Sequence, residues 1–207
     1  MPGHHATKCK IPCLRSETFA VSDQERWMAH LEEEGFVVLH EIISQKNADL
    51  ALETFKQELC AVSPRFDWED KETWTTDNCP MIWNKSSVVY NGFGQSDSNW
   101  LLRTLSLTKE AFACVYGTDE LATSFDGNSL FLSDTHKSPC WLHQDQRPTD
   151  DRLSVQAILN VLPCDEFDAG FICVPRSHKT YVPADAKKRL DHAPKRSPKP
   201  KTRIKKS

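Results

Sequence analysis

The sequence contains no long apolar run and no start that resembles a signal peptide. Its apolar-rich stretches, such as residues 36–39 and 157–162, are far shorter than the roughly 20 residues that a membrane-spanning helix needs. Residues 1–15 lack the apolar stretch of a secretory signal. We therefore expect a soluble intracellular protein, located in the cytoplasm or the nucleus.

The eight cysteines lack the setting of a disulfide framework. The chain has 207 residues and is not expected to be secreted, so reduced and mostly buried thiols are the default. Cys9 and Cys13 lie near two histidines, but no second ligand pair follows at zinc-finger spacing. A zinc site there is the weaker alternative to a flexible N-terminus at residues 1–20.

Charge is distributed unevenly along the chain. Residues 187–207 hold ten Lys/Arg and one Asp, a net charge of +9, whereas the residues before them hold 16 basic and 28 acidic side chains, a net of −12. A Lys/Arg/Pro-rich segment cannot bury enough apolar surface to fold alone. We predict one domain at residues 21–183 and a disordered basic tail at residues 184–207.

The basic tail provides the one expected route to nucleic acid. Its Lys and Arg side chains suit phosphate contacts or a nuclear address. No aromatic residue interleaves with them after Tyr181, so base stacking is not expected.

Two helices are predicted near the start of the domain. Ser22 and Glu25 form a capping box at the start of the first, and Gly35 ends it before a short buried strand at residues 36–39. Ser44 is predicted to cap the second, which carries an apolar stripe and ends before Pro64. The stripe residues are Leu52, Phe55 and Leu59.

The remainder of the domain shows weaker patterns. Residues 64–99 look loop-like, residues 108–116 form a predicted helix closed by Gly117, and residues 120–124 suggest one further turn. Three apolar, partly β-branched runs follow and suggest an antiparallel meander, at residues 129–133, 154–162 and 171–174. Helices followed by strands predict an α+β fold.

His143 and Asp145 are the candidate metal ligands. A non-haem Fe(II) oxygenase uses two imidazoles and one carboxylate on one face of the metal. In an extended chain residues i and i+2 point the same way, so His143 and Asp145 could hold one ion together. Alone the pair is weak evidence, because a surface histidine beside an aspartate is commonplace.

The surrounding sequence resembles the phytanoyl-CoA dioxygenase-like family of Fe(II)/2-oxoglutarate-dependent oxygenases. The resemblance covers roughly residues 85–183 and rests on Trp141-Leu-His-Gln-Asp-Gln146, Ser154-Val-Gln-Ala-Ile-Leu-Asn-Val-Leu162 and Gly170-Phe-Ile-Cys-Val-Pro-Arg-Ser-His-Lys179, which follow the family's order and spacing. It implies a double-stranded β-helix (jelly-roll) core with N-terminal helices outside. It also implies Fe(II) held by His143 and Asp145, with 2-oxoglutarate as cosubstrate.

The residues that would supply the third metal ligand and bind 2-oxoglutarate depart from the family pattern. The histidine that matches His178 lies at a turn in the family and usually does not bind metal. His192 and Arg203 have the separation of the family's distal histidine and 2-oxoglutarate-binding arginine, but three prolines and four Lys/Arg lie between them. The jelly-roll is therefore expected to be incomplete, with edges that a dimer or a partner protein would cover.

Two functions remain open from the sequence. The first is an Fe(II)/2-oxoglutarate-dependent dioxygenase that hydroxylates a small organic substrate, in which no side chain acts as a nucleophile. The second is a catalytically inactive truncated relative that acts as a binding or interaction protein. An altered reading frame or splice form after residue 184 is a further explanation of the tail.

Overall fold

The computed structural model describes residues 16–79, 82–83, 87–88, 90–124, 126–132, 142–146, 154–164 and 170–180. Within them the strands are β1 (Thr18–Phe19), β2 (Val38–Leu39), β3 (Ile82–Trp83), β4 (Ser87–Val88) and β5 (Asn128–Ser129). The helices are α1 (Gln24–Glu34), α2 (Gln45–Val62), α3 (Asp97–Arg103), α4 (Ser106–Tyr116) and α5 (Ser177–Thr180), with 3-10 turns at Lys71–Thr73 and Tyr90–Gln95. No helix in the described part of the chain is both long and apolar enough to cross a membrane.

Helix α1 starts without the capping box that the sequence predicts. Its N-cap is Asp23 rather than Ser22, and no side chain caps the first turn. The Asp23 carboxylate instead accepts a hydrogen bond of 2.8 Å from Arg26. A charge-assisted bond with the arginine one turn further along therefore holds the Asp23 side chain, which does not cap the first-turn amides.

The end of α1 follows the prediction. Gly35 has φ 81°, and its N–H donates to the Leu31 carbonyl at 2.9 Å. The chain then enters β2, which pairs in parallel with β1 through Thr18↔Val38 and Phe19↔Leu39. The strand is shorter than predicted, and Val38 is exposed rather than buried.

Helix α2 is the predicted second helix. Ser44 is its N-cap and accepts a hydrogen bond from the Asn47 N–H at 3.3 Å, and the helix ends at Val62, before Pro64. Leu59 on its apolar stripe is fully buried. It belongs to the main core cluster, with Phe66, Cys79, Val88, Phe93 and Leu132.

The segment 64–99 is more ordered than its sequence suggests. It contains β3, β4 and the start of α3, so the prediction of a loop was wrong there. Glu58 of α2 caps α3, because its carboxylate accepts from the Asp97 N–H at 2.6 Å and from the Ser98 hydroxyl at 2.6 Å. Helix α3 also has a local N-cap, because the Ser96 hydroxyl accepts from the Asn99 N–H at 3.4 Å. Only the contact from Glu58, about 40 residues away in sequence, lies beyond a local pattern.

The β-structure is confined to small sheets in the described residues. Strands β3, β4 and β5 form an antiparallel sheet in that order, with Val88 opposite Asn128. The predicted strand at 129–133 is represented only by β5, and residues 154–162 and 171–174 are outside the assigned strands. Residues 120–124 are not helical, which corrects that prediction as well. The α+β class stands, with no closed barrel among the described residues.

Candidate functional site

His143 and Asp145 lie side by side in the structure. They belong to the irregular segment 142–146, and His143 Nε2 is 3.2 Å from Asp145 Oδ1. Both side chains are accessible, with exposed fractions of 42% and 55%. The two potential ligand atoms therefore converge at a solvent-accessible position.

The separation of these two atoms suits adjacent ligands of one metal ion. Bonds of about 2.1 Å from nitrogen and oxygen at a right angle place the two ligand atoms about 3 Å apart. The same distance also suits a hydrogen bond between the imidazole and the carboxylate. Metal binding at this pair would compete with that bond.

Among the described residues, no other sequence-predicted candidate joins this pair. The described ranges contain no group of three His, Cys, Asp or Glu side chains placed to hold a metal ion. His178 lies on α5 and its Nε2 is 3.0 Å from the Glu32 carbonyl oxygen. His192 and Arg203 lie outside the described residues, as do Cys9 and Cys13.

The α5 region makes a contact that the sequence does not reveal. Residues 176–179 dock on residues 32–35, at the C-terminal end of α1, and we call this contact the clasp. The Arg176 N–H donates to the Glu34 carbonyl at 2.8 Å, and the Arg176 guanidinium contacts the Glu34 carboxylate at 2.7 Å. Lys179 Nζ is 2.5 Å from Glu33 Oε2.

The clasp supplies the C-terminal end of α1 with hydrogen-bond donors and with positive charge. The last carbonyls of a helix have no partner within the helix, and those of Glu32 and Glu34 bond here to His178 and Arg176. Three consecutive carboxylates also stand at the negative end of the helix dipole, where cations are favoured. Arg176 and Lys179 supply those cations.

The geometry of the clasp constrains two backbone positions. A Cβ atom on Gly35 would collide with the imidazole of His178, so glycine is needed there for space as well as for its positive φ. Arg176 itself has φ 63°, a conformation that L residues other than glycine rarely adopt. Since a carbonyl oxygen only accepts, His178 Nε2 carries the proton in its bond to Glu32.

The clasp is expected to loosen in acid. The hydrogen bond from Lys179 lowers the pKa of Glu33 below its ordinary value of 4.5, and the charges of Lys179 and Arg176 lower it further. A carboxyl whose pKa is lowered on folding stabilises the folded state above its unfolded pKa, and this stabilisation is lost as the pH falls through the folded pKa. Hydrogen exchange of the Arg176 amide, corrected for its intrinsic pH dependence, should therefore accelerate below about pH 4.5.

Matched variants identify the group responsible for this pH dependence. Glu33→Gln should weaken the acid response, whereas Glu32→Gln changes the same charge on the same helix without removing an ion pair of the clasp. The same acid response in wild type and both variants would contradict the role of Glu33.

Residues 154–164 form a further segment beside α4. The Val155 N–H donates to the Tyr116 hydroxyl at 3.1 Å, at the last residue of α4. Gln156 in this segment is exposed. Gly170 lies close to this segment, since a Cβ atom there would be 3.6 Å from Cys164 Sγ.

Comparison with known proteins gives limited information. No family model matches the sequence, and no solved structure matches it. The chain is similar to Ava biosynthesis cluster protein O of Aspergillus versicolor, with 31% identity over 159 residues, which is 75% of this chain and 51% of that protein. The chain thus spans about half the length of this curated relative.

Proposed function

We propose that this chain is an Fe(II)/2-oxoglutarate-dependent dioxygenase-like protein that hydroxylates a small organic substrate. The observation that supports the proposal is the 3.2 Å approach of His143 Nε2 to Asp145 Oδ1. This pair lies within the segment 141–146 that resembles the phytanoyl-CoA dioxygenase-like family. The name of the relative, a biosynthesis cluster protein, fits a small-molecule substrate.

In this proposal His143 and Asp145 hold the iron by two of its coordination positions. Bound iron and 2-oxoglutarate would supply the activation of dioxygen that hydroxylation requires. His143 must be neutral to act as a ligand, and Asp145 must be ionised. Their exposure leaves the site open to a cosubstrate and a substrate.

The proposal includes a jelly-roll arrangement for the second half of the domain. The antiparallel sheet of β3, β4 and β5 supports it, because β5 lies at the start of the first predicted strand. Residues 154–162 and 171–174 retain the apolar, partly β-branched composition of strands.

An anaerobic titration with Fe(II) in the presence of 2-oxoglutarate tests the proposal. The wild-type chain should develop the weak visible band of the iron chelate at one equivalent of iron, and His143→Ala and Asp145→Ala should lose it. His40→Ala is a matched control, because exposed His40 also lies beside a carboxylate, at 3.6 Å from Glu41. That variant should titrate like the wild type.

His192→Ala then asks whether the basic tail completes the site. Loss of the band in this variant would assign the third ligand to the tail, and retention would place the ligand elsewhere. If the wild-type chain shows no band and binds no iron, the proposal fails. The alternative of a relative that acts by binding, without oxygenase chemistry, would then stand.

A further inference from the structure

The exposure of the side chains alternates along residues 154–162. This pattern is typical of a strand that packs one face against its own domain and exposes the other face to solvent. The five even-numbered residues, Ser154 to Leu162, are all exposed, whereas Val155, Leu159 and Val161 are half-buried. Only the small Ala157 departs from this alternation. Because successive side chains of a strand point to opposite faces, a period of two in burial indicates an extended segment.

One hydrogen bond fixes which edge of this segment faces the domain. The N–H and C=O groups of a strand alternate between its two edges, so odd-numbered residues share one edge and even-numbered residues share the other. The Val155 N–H points to the Tyr116 hydroxyl at the end of α4. The even-numbered edge, at residues 156, 158 and 160, therefore faces away from α4.

Within the described part of the chain, that outer edge has the properties of an unprotected edge strand. No backbone hydrogen bond joins residues 156–162 to any other described residue. Ile158 and Leu162, which are 65% and 57% exposed, lie on the exposed face of the segment beside that edge. The segment carries no Lys, Glu or Pro, the residues that commonly block edge pairing.

Two copies of the segment that run in opposite directions place similar side chains opposite each other near the centre. An antiparallel pairing centred on Ile158 places Ile158 opposite its own copy, Gln156 opposite Asn160 and Val155 opposite Val161. The amides of Gln156 and Asn160 can exchange hydrogen bonds, and paired β-branched residues are favourable neighbours across strands. These three pairs join side chains of similar character, and only at the ends of the segment, where Ser154 lies opposite Leu162, do the paired side chains differ.

We propose that the 154–162 segment is a homodimer interface, in which two copies of this chain pair their segments as antiparallel strands about a two-fold axis at Ile158. The pairing uses the even-numbered edge that Val155 leaves free. Residues 156, 158 and 160 would form the hydrogen-bonded pairs, with two bonds each. The polar Gln156–Asn160 pair occurs twice and fixes the register, since a shift by one residue would break both pairs.

A second copy suits this edge better than an unrelated partner. An interface with two-fold symmetry requires a surface that is complementary to itself, and the order Gln156, Ile158, Asn160 meets this requirement. The segment is also neutral, so it offers no charge with which to select a basic or acidic peptide.

Engineered cysteines test the position of the two-fold axis. Opposed residues in a hydrogen-bonded antiparallel pair have Cα atoms about 5.5 Å apart, within the range of a disulfide. In Ile158→Cys, oxidation by glutathione disulfide should join two thiols into an intermolecular disulfide and release two molecules of glutathione. Leu162→Cys is the matched control, because its exposure is similar but its two copies would lie roughly 27 Å apart, eight strand residues.

The wild-type chain should sediment at about 47 kDa, twice its 23.6 kDa. Peptide mapping of the Ile158→Cys variant should find a disulfide that joins position 158 of one copy to position 158 of the other. Leu162→Cys should show only the cross-linking of the wild type under the same oxidant. A monomeric wild type would overturn the proposal, as would a dimer in which Ile158→Cys cross-links no better than Leu162→Cys.

Charge pairs test the register without relying on one variant that folds poorly. A chain with Gln156→Lys and Asn160→Lys should sediment as a monomer, and so should a chain with Gln156→Glu and Asn160→Glu, because each places like charges opposite each other. An equimolar mixture should restore the dimer. Failure of the mixture to associate would reject this register.

Failure of the proposed dimer interface can be distinguished from failure of the proposed oxygenase function. His143→Ala should lose the iron chelate and still sediment as a dimer, whereas the paired lysine variant should lose the dimer and keep the ligand pair. If His143→Ala also becomes a monomer, association depends on the metal pair rather than on the strand edge, and the proposed interface is wrong.

Discussion

Leu59→Ala is expected to lower the free energy of unfolding by about 2–5 kcal/mol, the usual cost of removing a large aliphatic side chain from a core. Leu59 is 0% exposed and lies in the main cluster with Phe66, Cys79 and Val88. Its neighbours come from α2 and from segments on both sides of β4, so the cavity cannot close by moving one side chain. Urea unfolding followed by circular dichroism would measure the loss.

Leu50→Ala provides the control for this substitution on the same helix. Leu50 is 50% exposed, so the same change there should alter the unfolding free energy by less than about 1 kcal/mol. Similar losses for the two variants would show that the core does not surround Leu59 as the structure indicates. The slope of the transition should stay constant, so that the midpoint reports stability alone.

Trp27→Ala is expected to cost about 3–5 kcal/mol, the range for an aromatic residue removed from a core. Trp27 is buried, and its indole N–H donates to the Val21 carbonyl at 2.9 Å. The substitution removes the ring that anchors α1 and leaves that carbonyl without its donor. Thermal unfolding should shift downward by about 2–4 °C for each kcal/mol lost.

Trp27→Phe separates packing from hydrogen bonding. Phenylalanine retains an aromatic ring but cannot donate to Val21, so we expect a smaller loss, set by the reduced ring and by the penalty of about 1–3 kcal/mol for an unpaired buried acceptor. Equal destabilisation by alanine and phenylalanine would mean that the hydrogen bond, rather than the ring, anchors α1.

Features that depend on near neighbours in sequence were predicted well. Gly35 and Gly117 end α1 and α4 in left-handed conformations, and Ser44 caps α2, because each of these signals acts within one helical turn. The capping box at Ser22 failed although it is local. Arg26 lies one turn from Asp23 and holds its carboxylate, and a motif search does not include this competing bond.

Features that depend on distant residues were not predictable from pattern. Helix α3 starts where Glu58 binds its first amides, and the clasp joins residues 34 and 176. Both contacts follow from the path of the chain in space. The sequence separations of 39 and 142 residues lie beyond any local periodicity.

The candidate site also combines a feature set by near neighbours in sequence with one that depends on distant residues. The prediction that His143 and Asp145 lie together assumed an extended chain, and the structure brings these side chains together in an irregular segment with a bend at Asp145. A third ligand must come from another part of the chain, which a short motif cannot specify. The prediction of a strand at residues 154–162 failed for a related reason. Strand propensity describes the preference of each residue and does not supply the neighbouring strand with which it must pair.

The clasp has a consequence for how the chain matures during synthesis. Helix α1 leaves the ribosome long before its partner residues, because Arg176 is added 142 residues after Glu34. Throughout that interval Glu32, Glu33 and Glu34 stand uncompensated at the negative end of the helix. The clasp also closes a long loop, and long-range contacts of this kind form slowly. We expect the nascent domain to keep a frayed end on α1 until translation passes Lys179, so that closure of the clasp is a late event in its folding.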